Sequence, residues 1–470
     1  MARKILMTVF IAAAYVYSSS FFCEYSGEHI LVKFHQHIKH SERLGLIDSL
    51  GCIMESHSEY SDCMRVCLPK DCEPEQMTAE FSKHSQMVEY AEKDYNVRGF
   101  FVPNDSFYSY QWHFDGANSG SIQIESAWEI QTGNPETIIA VIDTGIAYED
   151  YDIYAQAPDL ADTQFVQGYD FVNDDFHPND DNGHGTHVAG TIAQSTNNGL
   201  GVAGIAYNCS IMPVKSLGAE NGGSVLDVAD GIIYAAMNGA DVINMSLGSP
   251  GNSTALKQAC EYAYQMGATI VCAAGNEYND GNPVIYPAAY DDYCIAVGAV
   301  RYDEMRANYS NTGSYVDIAA PGGDLAVDQN GDGFADGILQ QTFSNFDFTE
   351  FQYYFYQGTS MAAPCVAGVA GLLNSNGISN PDKIRLAVES TAKDLGTSGK
   401  DPEYGAGLLN ASAAVSFSVI ADLTGDLEIN QEDIFVFADY WLTNSPSADF
   451  DMNGIVDYID FSVISSNWQF

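Results

Sequence analysis

The segment NDDNGHGTHVAG, residues 179–190, sets His184 and His187 three positions apart in a run of small residues. On a helix such a pair shares one face, so it can clamp a metal or supply one base. A metalloprotease would need more, because HGTH lacks the glutamate of HExxH and no third ligand segment is evident. A nucleophile is suggested by YQGTSMAAPCVAGVAGLL, where Gly358 and Ser360 precede a small-residue run that reads as a tightly packed helix. A serine at a helix start is commonly an N-cap. Here the positive helix end and its free N–H groups would also face an oxyanion forming beside Ser360. Pro364 is expected to be tolerated because the first amides of a helix have no intrahelical partner. A serine hydroxyl needs a base, and histidine is the usual one near neutral pH. Past residue 104 the histidines are His113, His177, His184 and His187, and His184 opens the small-residue helix GTHVAGTIA.

These side chains need a scaffold. From about residue 105 to 418, apolar strand-like runs alternate with amphipathic helical runs, which predicts an α/β fold with a parallel sheet flanked by helices. TIIAVID, DVINMSLG and TIVCAAGN are near-continuously apolar, as expected when both sheet faces are covered. LDVADGIIYAAMNGA and TALKQACEYAYQMGA have helical spacing and end in glycine, a common stop signal. In such sheets ligands bind beyond the carboxyl ends of the strands. There TIIAVID ends on Asp143, TIVCAAGN ends on Asn276, and VINMSLG ends in a glycine-containing edge. An acid, an amide donor and an accessible backbone thus converge, although Asp143 before TG would by itself read as a turn aspartate.

Two further units flank this region. Residues 24–104 read as a small α+β unit, with strand-like HILVKFH, helical EPEQMTAEFSKH and strand-like MVEYAEKDYNV. The last fifty residues hold a repeat: DLTGDLEINQED from Asp422 and DFDMNGIVDYID from Asp449, each followed by a tryptophan, Trp441 and Trp468. At the amino end, Arg3 and Lys4 lead an apolar stretch over residues 5–16 and then three serines, the pattern of a secretory signal peptide over residues 1–20. No stretch approaches the roughly 20 apolar residues of a transmembrane helix. An exported, soluble protein is therefore expected. The net charge of -45 is concentrated in residues 105–470, with 49 acidic against 8 basic groups. Such a surface repels nucleic acid and anionic membranes and favours calcium and solubility. Ten cysteines fall five on each side of residue 104, and spacing alone assigns no disulfide.

Together IDTG, NGHGTHVAG, AAGN and GTSMAAP resemble the four signature segments of the subtilisin-like serine proteases, over roughly residues 24–418. The resemblance implies that Ser360 is the nucleophile, His184 the general base and Asp143 its orienting partner, with Asn276 and the Ser360 N–H as oxyanion donors. Ser246, Leu247 and Gly248, with Gly223 and Ser224 opposite, resemble the strands that pair with extended substrate backbone. Residues 24–104 resemble the inhibitory propeptide, cut off near residues 102–108 to leave a catalytic domain over 105–418. Glu277, after the oxyanion asparagine, would bias the first specificity pocket against acidic side chains. One departure is Cys365, where the family usually carries histidine; its expected role is that of a small buried apolar side chain. The four intact segments favour an endopeptidase over a fold used only for calcium-dependent binding.

Members of the family commonly bind structural calcium. Asp105, Asp159 and Asn198 resemble the strong calcium site of the thermitase-like branch, with Asp152 competing for the place of Asp159. In DQNGDGFAD, Asp328, Asn330, Asp332 and Asp336 occupy calcium-loop positions 1, 3, 5 and 9 with Gly333 at position 6, and Leu339 stands where glutamate would be expected. The carboxy-terminal repeat matches twice: Asp449, Asp451, Asn453, Asp457 and Asp460 with Gly454, and Asp422, Thr424, Asp426, Asn430 and Asp433 with Leu427 at the glycine position. The pair, residues 419–470, resembles a dockerin module, which docks onto cohesin domains.

Overall fold

The computed structural model describes residues 25–58, 60–69, 72, 74–95, 101–114, 120–344, 347–420, 431–443, 456 and 461. Backbone contacts divide the chain into two units, Met1–Gly99 and Phe100–Phe470. The signal-peptide expectation over residues 1–20 lies outside the described residues.

In the first unit β1 (Tyr25–Phe34), α1 (His40–Ser49), β2 (Ile53–His57), β3 (Cys63–Cys67), α2 (Pro74–Ser82) and β4 (Val88–Tyr95) follow one another. The antiparallel sheet runs β2-β3-β1-β4, the split βαβ arrangement. Alternation gives it one buried face: Ile30, Val32 and Phe34 of β1 and Met64 and Val66 of β3 pack on Leu46, Ile47, Met77 and Phe81 of the helices. The sequence reading found β1, α2 and β4. It missed α1, β2 and β3, because HSERLGLIDS has a weak apolar stripe and each strand is only five residues long.

In the second unit β5 (Ile138–Asp143), β6 (Gln164–Phe165), β7 (Tyr169–Asp170), β8 (Ser210–Lys215), β9 (Val242–Met245), β10 (Thr269–Ala273), β11 (Cys294–Val300) and β12 (Ile318–Pro321) form one parallel sheet. Its order is β12-β11-β10-β9-β5-β8-β6, with β7 also on β8. The helices are α3 (Ile124–Trp128), α4 (His184–Ala193), α5 (Val225–Met237), α6 (Thr254–Gln265), α7 (Thr359–Ser375), α8 (Pro381–Ser390), α9 (Ala411–Ile420) and α10 (Gln431–Tyr440). Ile139 and Val141 of β5 pack with α4 and α7 on one face, whereas Ala140 and Ile142 pack with α5 and α6 on the other. Burial on both faces is why the strands read as unbroken apolar runs. Ser224 and Ser253 cap α5 and α6 by accepting from Asp227 N and Leu256 N. Gly239 and Gly267 end the same helices in the left-handed region, at φ 82° and 96°. The glycines of α7 serve packing instead: a Cβ on Gly368 would stand 2.8 Å from Ile205 Cβ, so a larger residue there would push the helix and that segment apart.

An antiparallel hairpin of β13 (Ile338–Phe343) and β14 (Phe351–Tyr356) leads into α7. It was not foreseen, since ILQQTF and FQYYFY carry neither a clean alternation nor a tight-turn signal.

Candidate active site

Asp143 closes β5 and is fully buried. Its Oδ1 accepts from His184 Nδ1 at 2.7 Å and from the Thr144 N–H at 2.7 Å. His184 is the first residue of α4, a helix whose start is fixed by a carboxylate the sequence reading did not single out. Asp180, fully buried, accepts from the N–H groups of Asn182, Gly183 and Thr186 and from the Thr144 and Thr186 hydroxyls. Asp180 stands three residues before the N-cap Gly183, outside the position at which a capping side chain is read from sequence. Burial presses the His184 pKa down, but the charge of Asp143, its hydrogen bond and the charge of Asp180 outweigh this and hold the imidazole above its ordinary value. His187, one turn on, is fully buried; its Nε2 lies 3.1 Å from the carbonyls of Ile338 and Tyr354, and its ring stacks on Tyr356. Burial drives its pKa down to about 3, so it stays neutral and structural.

Ser360 is the second residue of α7, which packs against α4. Its hydroxyl donates to the Ser246 carbonyl at 3.2 Å, and no hydrogen bond joins it to His184. Such bonds are often long before substrate arrives. Pro364 is the sixth residue of α7 and so lies beyond the orphan amides of the first turn, which corrects the expectation made for it. The carbonyl it leaves without an intrahelical donor is that of Ser360 itself, and the Ser246 hydroxyl donates to that oxygen at 2.8 Å. The two serines thus hold each other's main chain.

Asn276 follows β10. Its Oδ1 accepts from both the N–H (2.9 Å) and the hydroxyl (3.0 Å) of Thr359, which leaves Nδ2 as the free end of the amide. A Cβ placed on Gly358, at φ 145°, would stand 3.5 Å from Asn276 Nδ2 and 3.6 Å from Ser360 N. Two donors therefore flank one small space beside the serine, as a developing oxyanion requires. A cleft of about 360 Å³ opens there, with Gly223, Ser224, Ser246, Leu247, Gly248 and Glu277 in its lining beside Asn276 and Ser360. Ser224 doubles as the α5 cap, and Glu277 folds back to accept from the Asn276 N–H at 2.8 Å. Cys365 is fully buried, with its thiol 3.4 Å from the Met361 carbonyl and burial pushing its pKa far up. It is free, as are Cys209, Cys260, Cys272 and Cys294.

Asp105, Asp159 and Asn198 meet around one loop. Asp105 accepts from the N–H groups of Asn197 and Asn198, and Asn198 Nδ2 donates to Asp159 Oδ1 at 3.1 Å. Asp159 is fully buried among neutral donors, Val202 N and the Tyr353 hydroxyl included, and burial pushes its pKa up to about 7. Its competitor Asp152 is exposed, in a left-handed turn at φ 51°, and joins none of these bonds. Among the described residues no three His, Cys, Asp or Glu side chains stand ready to hold a metal. A calcium ion here would rely on Asp105 and Asp159 with amide and carbonyl oxygens, which suits a hard cation. Asp422, Thr424, Asp426, Asn430, Asp449, Asp451, Asn453, Asp457 and Asp460 lie outside the described residues. Asp433 is buried in α10, and Leu442–Thr443 exchange two backbone hydrogen bonds with Val456. None of the described helices is long and apolar enough to cross a membrane.

Comparison with known proteins agrees with this geometry. The sequence pattern of the Subtilase family matches residues 134–407. A thermophilic serine proteinase of a Bacillus species (strain AK1) is 39% identical over 335 residues, 71% of this chain and 74% of that protein. Thermitase of Thermoactinomyces vulgaris is 38% identical over 317 residues, 67% of this chain and 100% of that protein. Among solved structures, a protease from Pseudoalteromonas arctica superposes with a TM-score of 0.59 at 34% identity, covering 67% of this chain and 99% of the other. The match spans the parallel sheet and all four signature segments, and the chain belongs to the subtilase family and is a serine protease.

Proposed function

We propose that this protease is a secreted endopeptidase that cuts peptide bonds through Asp143, His184 and Ser360. Substrate backbone lies along Ser246, Leu247 and Gly248 on one side and Gly223 and Ser224 on the other, gaining affinity chiefly from main-chain hydrogen bonds. His184 takes the proton of the Ser360 hydroxyl as its oxygen attacks the scissile carbonyl. Asp143 keeps the ring oriented and stabilises the imidazolium. Asn276 Nδ2 and the Ser360 N–H hold the oxyanion. Collapse passes the proton from His184 to the leaving amine, and water, activated by the same histidine, then hydrolyses the Ser360 ester. The observation that carries this reading is the 2.7 Å bond between Asp143 and His184, on a helix packed against the one that bears Ser360.

Residues 24–104 act as an inhibitory propeptide behind a signal peptide over residues 1–20, and are removed near residues 102–108 by the enzyme itself. Asp105, Asp159 and Asn198 hold a structural calcium, whose charge answers the buried Asp159 carboxylate. Residues 419–470 form the dockerin-like calcium pair that tethers the protease to a cohesin-type partner. Expression in calcium of the wild type beside Ser360→Ala tests the core of this. The wild type should shed its amino-terminal unit and digest casein, whereas the variant should remain full-length and inert. Equal processing of both, or no casein cleavage by either, refutes it.

A further inference from the structure

Strand β8 ends on a lysine that the protease chemistry does not use. Lys215 lies in register with Asp143 of β5 on one side and with Asp170 of β7 on the other, and its side chain is fully buried. An interior ammonium is retained only where close partners repay its lost hydration. Its Nζ donates to the Thr144 carbonyl at 2.5 Å and to Asp181 Oδ1 at 2.6 Å. Thr144, the residue after Asp143, is held at its other polar groups too. Its N–H donates to Asp143 Oδ1 at 2.7 Å, the oxygen that also receives His184 Nδ1. Its hydroxyl donates to Asp180 Oδ1 at 2.8 Å and accepts from the N–H of Gly185, the second residue of α4, at 2.9 Å. The carboxylates of Asp143, Asp170, Asp180 and Asp181 thus gather where β5, β7 and β8 end, and among the described residues their ion pairs are His184 with Asp143 and Lys215 with Asp181.

We propose that Lys215 is a positioning residue for the catalytic base, fixing Thr144 through its carbonyl and supplying the buried positive charge against which Asp180 stays ionised. The role rests on the triad proposed above, since Lys215 is no part of the cleft lining and acts through Thr144 and Asp180. Every group that Asp180 meets is a donor: the N–H groups of Asn182, Gly183 and Thr186 and the hydroxyls of Thr144 and Thr186. A proton on this carboxyl would displace one of them, and the Thr144 hydroxyl is free to turn. Burial works toward that proton, raising the Asp180 carboxyl above its ordinary value, while the donors and the charge of Lys215 work against it. The ionised Asp180, with Asp143, in turn favours the imidazolium form of His184, and the nearby ring of His187 stays neutral. Asp170 and Asp181 face the ammonium as well, and Tyr154 lies near the same acids, which with burial hold its hydroxyl protonated. Removing the ammonium therefore leaves Asp180 to take up a proton, and the base loses its support.

The test follows the proton between Asp143 and His184 by NMR, where such protons resonate far downfield, in the full chain carrying Ser360→Ala to prevent self-digestion. Lys215→Met and Lys215→Gln are added in turn. Glutamine keeps a donor for the Thr144 carbonyl without the charge, and it carries the test if the methionine variant does not fold. In the parent the signal should titrate above about pH 6.5. In either variant the midpoint should fall by roughly one unit, the lower end of what loss of one nearby opposite charge does. With Ser360 restored, kcat should fall with KM little changed, and the ascending limb of kcat/KM should move to lower pH by the same amount; a merely loosened fold would leave both midpoints in place. An unmoved midpoint overturns the role of Lys215. A higher one overturns it as well, because the ammonium would then act on the imidazole directly as a like charge and not through Asp180. A shift with methionine but none with glutamine assigns the effect to the carbonyl clamp alone and overturns the part played by charge. Absence of the downfield proton in the parent refutes the triad itself, and this role with it, so the two failures are told apart.

Discussion

The exchange between Ser246 and Ser360 makes a quantitative prediction. Pro364 has no N–H to offer the Ser360 carbonyl four residues back, and its ring pushes that carbonyl outward. The Ser246 hydroxyl, at 2.8 Å, is the donor that replaces the missing helical bond. Ser246→Ala strands a part-buried acceptor and should cost about 1–2 kcal/mol, toward the lower end of what an unsatisfied buried group costs. The substitution also removes the partner of Asn244 Nδ2, 3.1 Å away, so the single variant does not isolate the carbonyl. A double-mutant cycle does. Pro364→Ala restores an N–H at the position that points to Ser360 O, after which the loss of Ser246 should matter far less, while the Asn244 contribution is the same in both backgrounds and cancels. The expected coupling is about 1 kcal/mol. The measurement is thermal unfolding at fixed calcium in a Ser360→Ala background, which keeps the carbonyl and stops self-digestion. Ser246→Ala should lower the midpoint by roughly 1–3 °C with proline present, because a unit of this size unfolds with a large entropy, and by a fraction of that with alanine at 364. Additivity of the two substitutions within about 0.3–0.5 kcal/mol would refute the reasoning.

His184 must be neutral to act as a base, and its pKa is held above the ordinary value. The ascending limb of kcat/KM against pH should therefore have its midpoint above about 6.5, and a midpoint at or below that value would exclude His184 as the titrating base. Asn276→Ala should lower kcat by about 10²- to 10³-fold with KM little changed, the loss known for one oxyanion donor of subtilisin; a fall below tenfold would remove Asn276 from the oxyanion site. Asp159→Asn should raise stability in EDTA, since it removes a buried carboxylate with only neutral partners, and should blunt the stabilisation that calcium gives the wild type. A variant whose unfolding midpoints match those of the wild type with and without calcium would show that Asp159 holds no ion.

What the sequence made legible was what local pattern controls. The unbroken apolar runs of β5, β9 and β10 announced a sheet covered on both faces, and the polar residue ending a run marked where Asp143 and Asn276 stand. Asp159 could not be chosen over Asp152 by spacing, because the choice depends on which carboxylate the fold buries beside Asn198. Pro364 was misjudged for a related reason: its tolerance depends on a hydroxyl 118 positions earlier in the chain, on the strand end that carries Ser246. A rule about helix termini contains no such partner. Asp180 was not legible, because it stands three residues before the N-cap Gly183 and reaches the helix start only through the fold of the intervening loop.

The unforeseen hairpin of β13 and β14 ties the helix that His184 opens to the helix that bears Ser360. Thr342 of β13 donates to the Gly183 carbonyl at 2.6 Å, just before the helix that His184 opens. Backbone carbonyls from both hairpin strands lie at His187 Nε2, one turn further along that helix. The same hairpin runs directly through Gln357 and Gly358 into the helix of Ser360. His187 is thus a structural anchor of the histidine helix onto the strand pair that delivers the serine, and its neutrality is a condition of that role. A charged imidazole there would face burial with one ring nitrogen lacking any partner, so acid charges His184 first and His187 only far below that pH, where its protonation must open the packing that ties the histidine helix to the hairpin.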